Sequence, residues 1–495
     1  MKRSAFIPPI TLGSRQERPL YRQLYDWFRT AITEGRLRPG QRVPSTRSMA
    51  AELRISRISV FNAYEQLQSE GYFETLVGSG TCVARTIPEE AFAPTLGNKR
   101  PTPQQVAPKS IRRAASTRAS ALLPARPEPW WQHQGAFRVN LPALEEFPVN
   151  VWSKLVARHT RTLSRGLMAY GDPMGYLPFR SAIAEYLGTF RGVRCDASQI
   201  LVTTGSQQAL QLSAHVLMDL GDQVMMEDPG YPGARLAFMS SGLKIVAVPV
   251  DEQGLIVSRI GDNHRLSHVV YVTPSHQYPL GVTMSAARRI SLLKWARRTD
   301  SWIIEDDYDS EYRFDGRPIA SLQGLDSDGR VIYIGTFSKV LFPALRLGYM
   351  VVPKDLVSVF VAVRDAADIF ASTLYQAVLG DFIREGHFAR HIRRMRMLYM
   401  ERRKALVNAM RREMGNILEI IGTEAGMHLV GLLPHGIKDE SVSNEAARNG
   451  ISAMPLSTCC LRPPSRGGLI LGYGGANQRR IHDGIRRLRA CFDRG

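Results

Sequence analysis

The stretch 86–136 rules out a single compact fold for this chain. It is dominated by Pro, Ala, Thr, Ser and Arg, as in Lys99-Arg100-Pro101-Thr102-Pro103 and Ser110-Ile111-Arg112-Arg113-Ala114-Ala115. Such a composition buries too little apolar surface to offset the ordering of its backbone. Its prolines favour extended conformations, so it reads as a basic, Pro-rich linker. The 495-residue length agrees, since roughly 150 residues per domain gives about three units. The two flanks differ in pattern. Residues 18–85 are helix-patterned and Arg-rich without a lysine. From 137 to 495, apolar β-branched runs alternate with helical patterns, as in an α/β domain.

Lys and Arg total 64 against 45 Asp and Glu, a formal charge of +19. An acidic partner is therefore expected, either nucleic acid or an anionic membrane surface. The membrane is disfavoured: apolar runs such as 356–363 fall short of the roughly 20 residues a spanning helix needs. Met1-Lys2-Arg3 leads into prolines rather than the apolar stretch of a signal peptide. Cys82, Cys195, Cys459, Cys460 and Cys491 form no CxxC pair. That fits a cytoplasmic protein and speaks against structural zinc, so no metal is expected.

In the first unit, Leu20, Leu24, Trp27, Phe28 and Ile32 lie close to helical spacing between Pro19 and Glu34. Gly35 ends that helix and Pro39-Gly40 makes a turn. Ser45 is placed to cap a short helix through Leu53, and Ser56 to cap a third. Val60, Ala63, Tyr64 and Leu67 share the inward face of this third helix. Arg57, Ser59 and Asn62 lie opposite, and such side chains suit the base edges and phosphates met by a recognition helix. Gly71 ends it, and Tyr72–Val83 with Gly78-Ser79-Gly80 reads as a hairpin, or wing. Spacing alone leaves open a small helical docking domain with solvated arginines.

In the second unit, short strands are expected at Gln199–Thr203, Gln223–Glu227, Lys244–Pro249, His268–Val272, Trp302–Glu305 and Val331–Ile334. Their nearly continuous apolar character suits strands covered on both faces. Gly335-Thr336-Phe337-Ser338-Lys339 follows the last of them. A lysine in such a turn can form a Schiff base with an aldehyde cofactor, and the hydroxyls of Thr336 and Ser338 suit its phosphate. Arg346 adds a planar cationic fork. Upstream, strand alternation puts Asp306 and Tyr308 on one side and Asp307 on the other. A carboxylate there can keep a pyridine nitrogen protonated, and the phenol can bond a ring oxygen. Gly205-Ser206-Gln207 opens a helix whose backbone N–H groups would hold a phosphate. Tyr231 is placed to stack on the ring. The aspartate lies 33 positions before the lysine and the arginine seven after it.

These residues carry resemblances. Pro19-Leu20-Tyr21, Gly40 with Val43-Pro44-Ser45-Thr46-Arg47, Ser56-Arg57 and Gln68–Tyr72 resemble the GntR-type winged helix-turn-helix. That resemblance implies contact with double-stranded operator DNA through Arg47, Ser56, Arg57, Ser59 and a wing at Gly78. The chain departs from the family at Ile58–Phe61. The lysine set, with Tyr170–Gly175 and Thr273–Gly281 (including Tyr278), resembles the fold-type-I aminotransferases over about 137–490. Head, linker and body in this order resemble the MocR family of bacterial regulators. The resemblance implies an α/β chain: a winged helix-turn-helix over 18–85, then a pyridoxal 5'-phosphate-dependent transferase fold over 137–495. This fold has a mixed, mostly parallel sheet and a smaller C-terminal subdomain. It further implies Lys339 as the aldimine lysine, Asp306 at the ring nitrogen, Tyr308 at the ring oxygen, Tyr231 stacked, Arg346 at the phosphate, and a homodimer.

One departure separates enzyme from regulator. The resembling enzymes hold the substrate α-carboxylate with an arginine in an Arg-apolar-small-aromatic signature. Here the stretch is Ile470-Leu471-Gly472-Tyr473. Isoleucine cannot pair a carboxylate, and Arg462 and Arg466 read more simply as solvated loop residues. The expected function is thus a transcriptional regulator that senses pyridoxal phosphate or an amino compound, in the manner of PdxR-like vitamin B6 regulators. The alternatives are an active aminotransferase with an appended DNA-binding head, and a non-specific nucleoid protein whose binding follows salt alone.

Overall fold

Three helices and a hairpin make the N-terminal unit: α1 (Leu20–Thr33), α2 (Thr46–Leu53), α3 (Arg57–Ser69), β1 (Phe73–Leu76) and β2 (Gly80–Val83). In this computed structural model the described residues are 7–10, 12–13, 18–76, 80–86, 115–125, 135–162, 164–260, 268–314, 320–415 and 417–492. The chain divides into two units, Met1–Arg112 and Arg113–Gly495. The expected caps form: Ser45 Oγ accepts from Ser48 N at 3.2 Å and Ser56 Oγ from Ile58 N at 3.3 Å. Each such cap contributes about 1 kcal/mol. Leu24, Phe28 and Ile32 of α1 share one apolar cluster with Val60, Ala63, Tyr64 and Leu67 of α3. The Phe28 ring meets Tyr64 and Phe73 edge-on, with centroids 5.6 and 5.2 Å away. β1 and β2 pair antiparallel from Phe73↔Val83 to Leu76↔Gly80. Gly78 lies outside the described residues.

The second unit is built on an eight-stranded sheet. Its strands are β3 (Ile200–Thr203), β4 (Gln223–Asp228), β5 (Lys244–Asp251), β6 (Gly254–Leu255), β7 (Val269–Val272), β8 (Trp302–Asp307), β9 (Val331–Thr336) and β10 (Gly348–Val351). They run in the order β3-β10-β9-β8-β7-β4-β5-β6. The five from β9 to β5 are parallel; β10 runs antiparallel between β9 and β3, and β6 is an antiparallel edge. Alternation sends Met226, Ile304 and Ile332 into one apolar cluster, with the helices Ser206–Leu217 and Pro232–Ser240. Met225, Ile303 and Val331 enter another, with the helix Ala286–Thr299. Both faces are covered, which is why the strands read as continuous apolar runs. All six expected strands are present within two residues of their expected ends. β10 was not foreseen: it is four residues long and follows a turn, with no crossover helix to announce it.

The smaller C-terminal sheet contains β11 (Glu419–Ile421), β12 (His428–Leu432), β13 (Met454–Pro455) and β14 (Gly468–Gly472), in the order β11-β12-β14-β13. The helices His387–Met414 and Gln478–Ala490 pack against each other in this region. No helix among the described residues is long and apolar enough to cross a membrane. Within the stretch expected to be a tether, Thr117–Ala125 forms a helix that packs on the helix Pro232–Ser240.

Candidate functional site

The parallel strands end together, and the side chains just beyond them line one cavity, as open α/β sheets commonly arrange. Its volume is about 440 Å³, and its walls include Ser206, Gln207, Tyr231, Tyr278, Asp306, Tyr308, Thr336, Ser338, Lys339 and Arg346. Every residue singled out for the cofactor is therefore on its wall except Gly205. That glycine, at φ +115°, sits just behind: a Cβ there would lie 3.2 Å from the Arg346 guanidinium. A glycine is needed for this close approach, which brings Arg346 to the N-terminus of the helix Ser206–Leu217.

β8 continues its alternation through the two aspartates. Asp306 faces the cavity and accepts from Tyr271 Oη at 2.8 Å. Its Oδ1 is buried without a hydrogen-bond partner among the described residues. Burial raises the Asp306 pKa to about 7, opposed by the Tyr271 hydrogen bond. Asp307 turns the other way, into a buried pair with Arg191 (Nε–Oδ2 2.8 Å), and accepts from Tyr333 Oη at 2.6 Å. Lys339 follows β9, and its Nζ is 3.5 Å from the Asn140 carbonyl. Burial lowers its pKa to about 8, against the pull of Asp309 and Asp306.

Three aromatic groups complete the wall. Tyr231 stands edge-on to Tyr278 at 5.4 Å, and Gln207 Nε2 reaches the Tyr231 oxygen at 3.5 Å. Tyr308 Oη donates to the His276 carbonyl at 2.9 Å and lies 3.0 Å from His276 Nδ1. That ring nitrogen is 3.1 Å from both Asp309 carboxylate oxygens. His276, Asp309 and His428 form a buried group behind the tyrosine. Sequence reasoning missed Tyr271, Arg138, Asn140, Leu141 and Leu144, all on the cavity wall. Tyr271 carried a usable signal: a polar side chain inside an otherwise apolar run, two residues before Thr273 and so on its face.

The site fits pyridoxal phosphate. Asp306 Oδ1 offers an open acceptor for a ring N–H, Lys339 offers a poorly solvated amine, and Arg346 flanks a helix N-terminus. Ile470 is fully buried beside Val139, Tyr278 and Val430. Arg466 bonds Glu419 and the Leu433 carbonyl, and Arg462 lines a separate cavity with Asp439. Neither arginine lines the main cavity.

On α3 the expected reading face is open: Arg57 and Asn62 are exposed, as are Arg47 on α2 and the cap Ser56, while Ser59 is half-buried. Two apolar side chains share that face, Ile58 at 70% and Phe61 at 51% exposure. Apolar groups on such a helix are what thymine methyls meet.

Comparison with known proteins joins these two halves. Residues 20–83 match the family of bacterial regulatory proteins, gntR family, and 137–467 match aminotransferase class I and II. A probable rhizopine catabolism regulatory protein, MocR, of Rhizobium meliloti is 42% identical over 484 residues, 98% of this chain and 96% of that protein. The chain belongs to the MocR family. This MocR-type regulator is also 31% identical to the pyridoxine biosynthesis transcriptional regulator PdxR of Corynebacterium glutamicum, over 94% of each chain. Its body is similar to the Pyrococcus horikoshii kynurenine aminotransferase, solved with PMP, at 28% identity and a TM-score of 0.68. That match covers 78% of this chain and 96% of the other. The MocR-type chain is thus an HTH-type transcriptional regulator with an aminotransferase-like body.

Proposed function

We propose that this regulator holds pyridoxal phosphate on Lys339, senses the cofactor or an amino compound reacting with it, and changes its grip on operator DNA accordingly. The observation that carries this reading is the unpartnered, buried Oδ1 of Asp306 on the same wall as Lys339 and Arg346. The bound cofactor would supply an aldehyde for amines and a ring able to take up electrons. The chain's own groups set the rest. Asp306 holds a proton at the ring nitrogen and Tyr308 contacts the ring oxygen. Tyr231 covers the ring face, with Tyr278 beside it. Gly205, Ser206, Gln207, Thr336, Ser338 and Arg346 bind the phosphate. Arg47, Ser56, Arg57, Ser59, Asn62 and the Gly78 wing read DNA, within a head over 18–85 joined by 86–136 to a body over 137–495. A homodimer suits a two-fold operator.

The test is a DNA-binding titration on the fragment upstream of the coding region, with and without pyridoxal phosphate and candidate amines. Ligand-dependent affinity is expected; one affinity under all conditions refutes the proposal. The intact Lys339–Asp306 set also favours an active aminotransferase. Steady multiple turnover with amino and 2-oxo acids, abolished by Lys339→Ala, would establish that reading.

The helix Thr117–Ala125 supplies the route from ligand to head. Leu122 and Leu123 line a second cavity that shares Asn140, Gln207, Tyr231, Tyr278 and Arg346 with the first. This helix belongs to the chain segment that leads back to the winged head. A ligand that favours one docking of it shifts a two-state equilibrium. Replacing Leu122 and Leu123 together by Asp is expected to leave cofactor loading intact and to remove the ligand effect on DNA affinity. Loading by absorbance and operator binding by titration check both halves.

A further inference from the structure

We infer that the body carries a further ligand site, for a compact dianion, in the cavity between the helices Leu177–Arg191 and His387–Met414, and that its occupancy is felt at the cofactor cavity. This cavity has a volume of about 240 Å³ and shares no described lining residue with the one that holds Lys339. Its walls come from three places. The helix Leu177–Arg191 supplies Tyr186 and Arg191, and the chain just beyond β8 supplies Ser310, Glu311 and Arg313. The helix His387–Met414 supplies Ala389, Ile392, Arg393 and Arg396, a helical spacing that puts all four on one face.

The charge on these walls is unbalanced. Asp307 neutralises Arg191. Arg393 and Arg396 stand one turn apart and form no ion pair or hydrogen bond with any described residue. Arg313 donates to Thr283 Oγ1 at 3.1 Å, an uncharged partner, and its Nε is buried without a hydrogen-bond partner among the described residues. Ser310 Oγ is buried and unpartnered in the same way. Glu311 accepts from Tyr186 Oη at 2.6 Å, and burial raises its pKa to about 7, so at neutral pH it offsets less than one full charge. Guanidinium groups do not give up their protons, and like charges one turn apart repel. An oxyanion removes that repulsion, and planar forks bind it through directed pairs of hydrogen bonds. The cavity is smaller than the roughly 300–1,000 Å³ of ordinary ligand pockets. Its occupant is therefore compact: a phosphate-type group or a short dicarboxylate.

The chain from 306 to 313 lines both cavities by turns. Asp306 and Tyr308 face Lys339, while Ser310, Glu311 and Arg313 face the new site. Between them Asp307 holds Arg191, which is itself on the new wall. A dianion there competes with Asp307 for Arg191 and adds negative charge behind Asp306, which favours the protonated form of groups in the cofactor cavity. The binding half of the inference stands without the cofactor reading; the coupling half rests on it.

The test uses the full-length protein saturated with pyridoxal phosphate. Phosphate, sulfate, malonate and succinate are titrated calorimetrically beside acetate, at constant ionic strength in chloride. At least one dianion is expected to bind one site per chain, at least about tenfold tighter than acetate. Phosphate and sulfate as the tight binders assign the site to a phosphate-type group, malonate or succinate to a dicarboxylate. With Arg393→Gln and Arg396→Gln together, that affinity falls at least about tenfold, and the paired Lys replacements keep part of it. Both residues are exposed, and thermal melting checks folding. Equal binding of dianions and acetate overturns the site, as does an affinity unchanged in the double Gln variant. An affinity lost instead in Arg346→Gln places the anion at the cofactor's phosphate position and also overturns it. In the native loaded protein a saturating dianion is expected to raise the pH midpoint of the visible band; an unmoved midpoint overturns the coupling. Absence of any visible band would remove the cofactor reading and the coupling with it, while calorimetry still decides the site.

Discussion

Lys339→Ala protein incubated with pyridoxal phosphate is expected to show only the spectrum of the free aldehyde and to bind operator DNA identically with and without amines. The reason lies in the chemistry of one nitrogen. Among the described residues, Lys339 is the one lysine on the cavity wall. Burial lowers its pKa from 10.5 to about 8, so at pH 7 the neutral amine is about two orders of magnitude more abundant than on an ordinary lysine. Neutral amine is the nucleophile, so the cavity favours imine formation at this residue. Arg346 and the helix N-terminus remain in the variant and still attract phosphate, so weak non-covalent binding should persist. Absorbance separates the two: a lysine-bound band that survives in Lys339→Ala would place the covalent link elsewhere. Operator titration with the same variant tests whether the covalent link is what the head reads.

The sequence made some parts of this molecule legible for physical reasons that others lack. Strands buried on both faces leave uninterrupted apolar runs, and β4, β5, β7, β8 and β9 were found within two residues. Strict alternation along β8 separates Asp306 from Asp307 in the sequence itself, because a period of two admits only two faces. Serine caps at 45 and 56 were readable because a cap is a local device. Groups brought in by tertiary packing were not readable. Arg138 and Asn140 lie some two hundred positions before Lys339, and only the contact of their segment with β14 brings them to the site. The helix Thr117–Ala125 carries Ala119, Ala121, Leu122 and Leu123, all good helix formers, and packs on Pro232–Ser240; the Pro-, Ser- and Thr-rich sequence on either side of it masked that short local signal. Ile58 and Phe61 fall outside the helical face that holds Val60, Ala63, Tyr64 and Leu67, so the period of the helix turns both outward despite their apolar character.

Asp306→Asn and Asp307→Asn, adjacent in sequence and identical in chemistry, are expected to behave oppositely. Asp307 neutralises Arg191, which is itself buried, and accepts from Tyr333. Removing that charge leaves a buried guanidinium without its ion-pair partner, at a cost of roughly 3 kcal/mol. The Asp307→Asn protein should melt early whether or not cofactor is bound. Asp306 is the reverse case. In the cofactor-free protein burial raises its pKa from 3.8 to about 7. A raised folded-state value means a contribution to stability that is complete below about pH 4 and lost as pH rises through 7. At pH 8 the folded chain therefore carries an ionised carboxylate whose Oδ1 has no hydrogen-bond partner among the described residues. Asparagine avoids that charge and still accepts from Tyr271. Stripped Asp306→Asn should accordingly be more stable than the native chain at pH 8, by on the order of 1–3 kcal/mol, with the difference gone near pH 4. Loaded with pyridoxal phosphate the ranking inverts, because the native carboxylate gains a ring N–H and the asparagine gains little. Melting of both variants at pH 4 and 8, stripped and loaded, tests this directly. A stripped Asp306→Asn protein that melts below the native chain at pH 8 would show that this carboxylate serves the fold rather than the ligand.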